Sequence, residues 1–227
     1  MRPTVLLFDI DGTLVSMKGA GRRALVRAFD AQLGRPEVFD GFEFAGMTDP
    51  AIVRHGLEAA GVAAEPATLA RLLAAYVECL EDEVRRSTNC LVHPGVEAML
   101  DAVAAVPDVA IGLGTGNVRA GARAKLERLH LYHRFAFGGF GCDHEERARL
   151  LGVGAVRGAA HLGRPLGACR LVVIGDTPRD VAAAHAIGAE AVAVATSAFT
   201  IEALRAAGPA AAFPDLAAEG VLEAVLG

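Results

Sequence analysis

Asp9-Ile10-Asp11-Gly12-Thr13 closes the apolar run Thr4-Val5-Leu6-Leu7-Phe8. A short apolar run that stops abruptly at two acids and a glycine reads as a buried parallel strand running into a polar turn. Two further endings of this kind lie far down the chain. Gly114-Thr115-Gly116-Asn117 follows the apolar run Val109–Gly114, and Gly175-Asp176-Thr177-Pro178-Arg179-Asp180 follows Leu171–Gly175. In open parallel sheets, ligands bind beyond the carboxyl ends of the strands. Ordinary strand-to-helix turns explain any one of these segments, since Asp, Thr, Asn and Gly are common there. All three together point to side chains that converge in space.

The segments between them set the fold class. Residues 18–86 contain no convincing strand. Helical spacing appears at Arg22–Leu33, at Asp49–Ala60 behind the cap-and-proline signal Thr48-Asp49-Pro50, and at Leu69–Val84. After His93-Pro94-Gly95, helices and strands alternate. Helices are expected at Val96–Val106, Ala120–Leu129, Arg147–His161, Asp180–Ile187, Ile201–Ala206 and Asp215–Leu226. Strands are expected at Val109–Gly114, Phe135–Phe140, Leu171–Gly175 and Ala191–Ala195. Such alternation gives an α/β fold, a Rossmann-like core with a parallel sheet and helices on both faces. The strand-free stretch becomes an inserted helical cap. The expected boundaries are residues 1–15 and 88–227 for the core and 16–87 for the cap, with crossings at Val15–Gly19 and Cys90–Gly95 acting as hinges.

Composition narrows the function. The chain has 227 residues, 53% of them hydrophobic and 22% charged, with a formal net charge of -5. That suits a globular protein with a sizeable core and argues against a nucleic-acid binder, which needs a basic face. No stretch of about 18 apolar residues is free of charge, so no membrane partner is expected. Two aspartates come too early for a secretory signal, and Cys79, Cys90, Cys142 and Cys169 form no metal or disulfide pattern, so a cytoplasmic setting is expected. His93, His130, His133, His161 and His185 show no metal spacing either. Of 22 basic residues, only Lys18 and Lys125 are lysine.

Asp9 and Asp11 lie two apart where an extended strand ends, so their side chains would share a direction. With Asp176 they make a hard oxygen site of the kind that takes Mg²⁺. One carboxylate can attack as a nucleophile, and a neighbour can give and take a proton. The Thr115 hydroxyl and backbone N–H groups at a helix start can hold phosphate oxygens. A cation would balance the charge that develops on a transferring phosphoryl group.

Asp9-Ile10-Asp11-Gly12-Thr13, Thr115-Gly116-Asn117 and Gly175-Asp176 with Asp180 resemble the first, second and fourth motifs of the haloacid dehalogenase-like (HAD) superfamily, over essentially the whole chain. The resemblance implies that Asp9 is nucleophile and metal ligand. Asp11 would be general acid/base and would meet the metal through its backbone carbonyl. Thr115, Gly116 and Asn117 would bind phosphate, Asp176 would ligate Mg²⁺, and Asp180 would support it from behind. The family expects a lysine or arginine before the helix leading to the fourth motif. Arg147 and Arg149 are the candidates, Arg147 being preferred because it stands just before the apolar helical pattern; Arg157 lies further in.

Within the superfamily, dehalogenases and phosphonate hydrolases lack the second aspartate. The phosphonate hydrolases also need a cap lysine, and none lies between Lys18 and Lys125. The expected function is therefore a Mg²⁺-dependent phosphatase acting on a small phosphorylated metabolite. A phosphosugar mutase of the β-phosphoglucomutase type and a catalytically silent binding module are the alternatives. The insertion resembles the cap of phosphoglycolate-phosphatase-like and β-phosphoglucomutase-like members, with Phe44–Asp49 as its substrate loop, including Thr48 and Asp49. Relatives often carry a cation where Met47 stands; Arg54 or His55 could compensate, although each is more often a plain helix-surface residue. Asn117 is read as a helix cap able to orient Asp9, and Lys125 as structural. The sequence is silent on oligomeric state.

Overall fold

Side chains of Thr4–Phe8 alternate between two cores, as an extended strand requires. Leu6 and Phe8 enter one core, and Val5 and Leu7 the other. The computed structural model describes residues 2–227. Its strands are β1 (Thr4–Phe8), β2 (Val15–Ser16), β3 (Leu91–Val92), β4 (Val109–Thr115), β5 (Phe137–Phe140), β6 (Arg170–Gly175), β7 (Glu190–Val194) and β8 (Ala211–Phe213). Its α-helices are α1 (Ala20–Leu33), α2 (Asp49–Ala59), α3 (Pro66–Arg86), α4 (Val96–Ala104), α5 (Arg119–Glu127), α6 (Arg147–His161), α7 (Pro178–Ala186), α8 (Ile201–Ala206) and α9 (Val221–Leu226).

Six strands form one parallel sheet in the order β5-β4-β1-β6-β7-β8. Helices α4, α5 and α9 cover the Leu6 and Phe8 face through Leu100, Leu126 and Val225. Helices α6, α7 and α8 cover the Val5 and Leu7 face through Leu151, Val181 and Leu204. The fold is thus the Rossmann-like α/β arrangement expected from the alternating pattern. Because β4, β1 and β6 are neighbours, with Phe8 level with Leu113 and Ile174, the three polar strand endings emerge side by side.

Between β2 and β3 the chain makes α1, α2 and α3 and no strand. Leu25 and Phe29 of α1 and Leu72, Tyr76 and Leu80 of α3 are buried in the helical segment and its junction with the sheet. Each such side chain contributes about 1.5–3 kcal/mol on burial. Phe39 meets the Phe29 ring edge-on at 4.8 Å. The two crossings lie together as an antiparallel ribbon, Val15 opposite Val92 and Ser16 opposite Leu91. Among the described residues no helix is long and apolar enough to cross a membrane.

The C-terminal region differs from the sequence expectation. Ala211–Phe213 is an added edge strand on β7, although Pro209-Ala210-Ala211-Ala212 carries little strand propensity. Pairing with an existing strand edge supplies what local propensity lacks. The last helix starts only at Val221, because Gly220 takes a left-handed backbone (φ 83°) and restarts the chain there.

Candidate active site

The β1 strand delivers Asp9 to the carboxyl edge of the sheet, where its backbone N–H donates to the Ile174 carbonyl of β6. The chain then turns sharply at Gly12, whose φ of 85° favours glycine. A Cβ at Gly12 would strike the Asp176 carboxylate, so the turn lets the first and last motifs close on each other. Thr13 donates its hydroxyl to Asp176 at 2.9 Å across that contact.

Asp9, Asp176 and Asp180 are buried, and each offers a carboxylate oxygen within 4.8 Å of the others. Arg147, also buried, answers them: its Nε donates to Asp180 at 2.8 Å, and its Nη2 lies 3.1 Å from Asp9 and closer still to Asp180. Asp180 is further occupied in the capping box of α7, accepting from the backbone N–H of the N-cap Thr177 at 3.0 Å and from its hydroxyl at 2.7 Å. One guanidinium thus pairs with two of the three clustered carboxylates. Burial pushes the Asp9 carboxyl up to about 6, with Arg147 opposing and Asp180 and Asp11 adding to the rise. Burial, with Asp180 and Asp9 adding to it, raises Asp176 well above the usual carboxylate range. This surplus of buried oxygen donors and negative charge fits a divalent cation.

The third-motif alternatives separate clearly. Arg147 reaches Asp9. Arg149 pairs with Glu146 on the exposed side of α6, and Arg157 grips Asp143 at 2.6 Å.

Asp11 points elsewhere. Its Oδ2 accepts from Lys125 Nζ at 2.5 Å and from Asn117 Nδ2 at 2.8 Å. Asn117 also donates to the Thr115 hydroxyl at 2.9 Å and accepts from Lys125 at 2.6 Å. Two readings of the sequence are corrected here. Asn117 does not cap α5 and orients Asp11 rather than Asp9. Lys125, read as structural, is a buried ammonium inside the site. A signal for it existed: the buried positions of α5 are Gly121, Ala122, Lys125 and Leu126, so the lysine stands on the apolar stripe.

The start of α5 is capped from the helical insert. Asp49 Oδ2 accepts from the Val118 N–H at 2.8 Å, while its Oδ1 accepts from Tyr76 at 3.3 Å. Thr48 caps its own helix and donates to the Glu145 carbonyl at 2.8 Å. The Asp49 N–H donates to the Gly116 carbonyl at 2.8 Å, and a Cβ on Gly116 would strike the Met47 carbonyl. Arg54 makes a forked ion pair with Glu145, and His55 stacks on Phe42, so both are engaged away from the Met47 loop.

Together these elements enclose a cavity of about 350 Å³. Asp9, Asn117, Lys125, Arg147 and Asp176 line its buried side, Asp11 its exposed edge, and Leu25, Phe44, Met47 and Ile52 its apolar wall. Of the expected substrate loop, Phe44–Met47 and Asp49 line it. Arg22, also on the wall, is engaged with the Phe39 and Phe42 carbonyls and lies over the Phe44 ring at 4.1 Å. His93 reaches the same space, its imidazole lowered by burial and by Lys18.

Asp49 carries a pH signature. Burial pushes its carboxyl from 3.8 to about 6 against the pull of Lys125 and the Val118 N–H. A folded-state value above the unfolded one means that the folded chain binds the extra proton, so stability falls as pH rises from about 4 to about 6. The full change is about 3 kcal/mol. The melting temperature of the native chain should therefore lose ground to that of Asp49→Asn across this window. Parallel melting curves from pH 4 to pH 7 would contradict this.

The parallel sheet thus gathers buried acids at its carboxyl edge, beside the arginine that opens α6 and beneath a roof of helices. The pattern described as haloacid dehalogenase-like hydrolase matches residues 3–188, and a HAD-hydrolase-like pattern matches residues 154–224. The chain belongs to the haloacid dehalogenase-like hydrolase family. CbbY from Rhodobacter sphaeroides, solved in complex with phosphate, is 17% identical with a TM-score of 0.72 over 100% of both chains. A predicted phosphoglycolate phosphatase from Haemophilus somnus 129PT is 16% identical with a TM-score of 0.69, over 98% of this chain and 97% of that one. A predicted phosphatase from Clostridium acetobutylicum is 15% identical with a TM-score of 0.70, over 100% and 99%. At these identities the likeness is one of fold. No protein of curated function is significantly similar to the chain.

Proposed function

We propose that this protein is a phosphomonoester hydrolase acting on a small phosphorylated metabolite through a phosphoryl-aspartate at Asp9. The observation that carries the reading is the buried Asp9 carboxylate at the base of the cavity, 3.1 Å from Arg147, with Asp11 beside it on the rim. Asp9 attacks phosphorus, and Asp11 protonates the departing oxygen. Asp11 then takes a proton from the water that releases phosphate and restores the carboxylate. Arg147, the Thr115 hydroxyl, and Gly116 and Asn117 at the strand end hold the phosphoryl oxygens. Asp9, Asp176 and the Asp11 carbonyl would hold Mg²⁺, with Asp180 supporting them; the ion would neutralise charge on the transferring group. The 3.1 Å approach of Arg147 to Asp9 supports this reading over a catalytically silent fold.

Residues 16–87 are the cap and residues 1–15 and 88–227 the core in this reading. Closure over the site keeps bulk water from the reacting centre. The apolar cap wall and the committed Arg22 favour a neutral remainder on the substrate over a second anion. The test is a panel of phosphomonoesters with Mg²⁺ and with a chelator, assayed for free phosphate. Hydrolysis should require the metal and favour neutral alkyl phosphates over phosphoglycolate. A folded sample that releases no phosphate from any of them refutes the reading, and isomerised phosphosugars in place of phosphate would identify a mutase.

A further inference from the structure

The geometry points to Lys125 as a positioning residue that fixes which oxygen of Asp11 carries the working proton. The inference rests on the hydrolase reading and deepens it. An acid/base carboxyl must present one chosen oxygen to the substrate, in both the protonated and the ionised form. Lys125 Nζ at 2.5 Å and Asn117 Nδ2 at 2.8 Å both converge on Oδ2 of Asp11. Both are donors only, so a proton placed on Oδ2 would meet two N–H groups and no acceptor. The proton of neutral Asp11 therefore resides on Oδ1, which has no protein donor among the described residues. The Asp11 side chain is 46% exposed and borders the cavity, whereas that of Lys125 is 4% exposed.

Lys125 acts on Asp11 a second way. By donating to Asn117 Oδ1 at 2.6 Å, it sets the orientation of that amide and hence the direction of Nδ2 toward Asp11 and Thr115. An ammonium has three donors and no acceptor, so the opposite amide orientation would set N–H against N–H. One buried cation thus holds the acid/base and its neighbouring amide in a single arrangement. The proton then moves from Oδ1 of Asp11 to the leaving oxygen as the ester P–O bond breaks and the Asp9–P bond forms. It is replaced from water as the Asp9–P bond is hydrolysed.

A proton donor matters for alkoxide departure and little for a stabilised aryloxide, which leaves unprotonated. The measurement is kcat/KM, which stops at phosphoryl transfer to Asp9, for an alkyl phosphomonoester and for p-nitrophenyl phosphate. Lys125→Met should cut the alkyl value by on the order of 10–100-fold, and by at least about ten times more than the aryl value. Lys125→Gln, which keeps a donor and covers the case that methionine is not tolerated, should show the same discrimination with a smaller loss. Equal losses on the two esters, or no loss on the alkyl ester, would overturn the role of Lys125 while leaving the hydrolase reading intact. A native enzyme inactive on both esters would overturn both.

Discussion

Asp9→Asn should lower turnover by roughly 10⁴-fold or more, because an amide is a poor nucleophile at phosphorus and nothing nearby can replace it. The neighbouring acids are differently engaged. Asp176 is held by Thr13, Asp180 by Thr177 and Arg147, and Asp11 by Lys125 and Asn117. The fold should survive the change. Burial already pushes the Asp9 carboxyl up to about 6, so a neutral group of the same shape relieves charge crowding. Steady-state turnover and a thermal melt on the same sample decide the matter: a variant that keeps more than a few per cent of activity would remove Asp9 from the nucleophile role.

Arg147→Met should act most strongly on stability. Among the described residues the guanidinium is the one cation paired with Asp9 and Asp180, and burial, which alone would weaken its charge, is outweighed by those two acids. Removing one partner of a buried ion pair costs about 3–5 kcal/mol, since the other charges stay buried. In a domain of this size that is a fall of roughly 2–4 °C in Tm per kcal/mol. Arg147→Lys keeps the charge but loses the fork and should fall between the two. Mg²⁺ should recover part of the loss by binding the folded acids. A metal-free Arg147→Met variant melting within a degree of the native chain would mean that the three carboxylates are balanced in some other way.

Much of this site was legible in the sequence because strand endings announce themselves. Asp9, Thr115 and Asp176 follow apolar runs, and parallel topology then decides that they meet. Arg147 was legible for a similar reason, standing where a polar loop turns into an apolar helix. Pairings between elements were not legible. Nothing local says that Asn117 serves Asp11, that Asp49 caps a helix belonging to the sheet layer, or that Arg54 clasps Glu145. Lys125 lies between: helical phase places it on the buried stripe of α5, but only the fold supplies the carboxylate that makes burial tolerable. The edge strand Ala211–Phe213 was invisible because β7, not its own residues, makes it a strand.

The bond from Val118 to Asp49 limits how freely these parts could be exchanged. A buried N–H deprived of its acceptor costs about 1–3 kcal/mol. Here the acceptor belongs to a segment about 70 positions away in the chain, and the helix it serves carries Lys125. Transplanting residues 16–87 onto another scaffold, or excising them, would therefore expose the first turn of that helix in the parent protein. A chimera would inherit the roof without the beam it rests on unless the Val118–Lys125 stretch travelled with it. For recombination, whether by evolution or in the laboratory, the transferable unit is the insert together with α5.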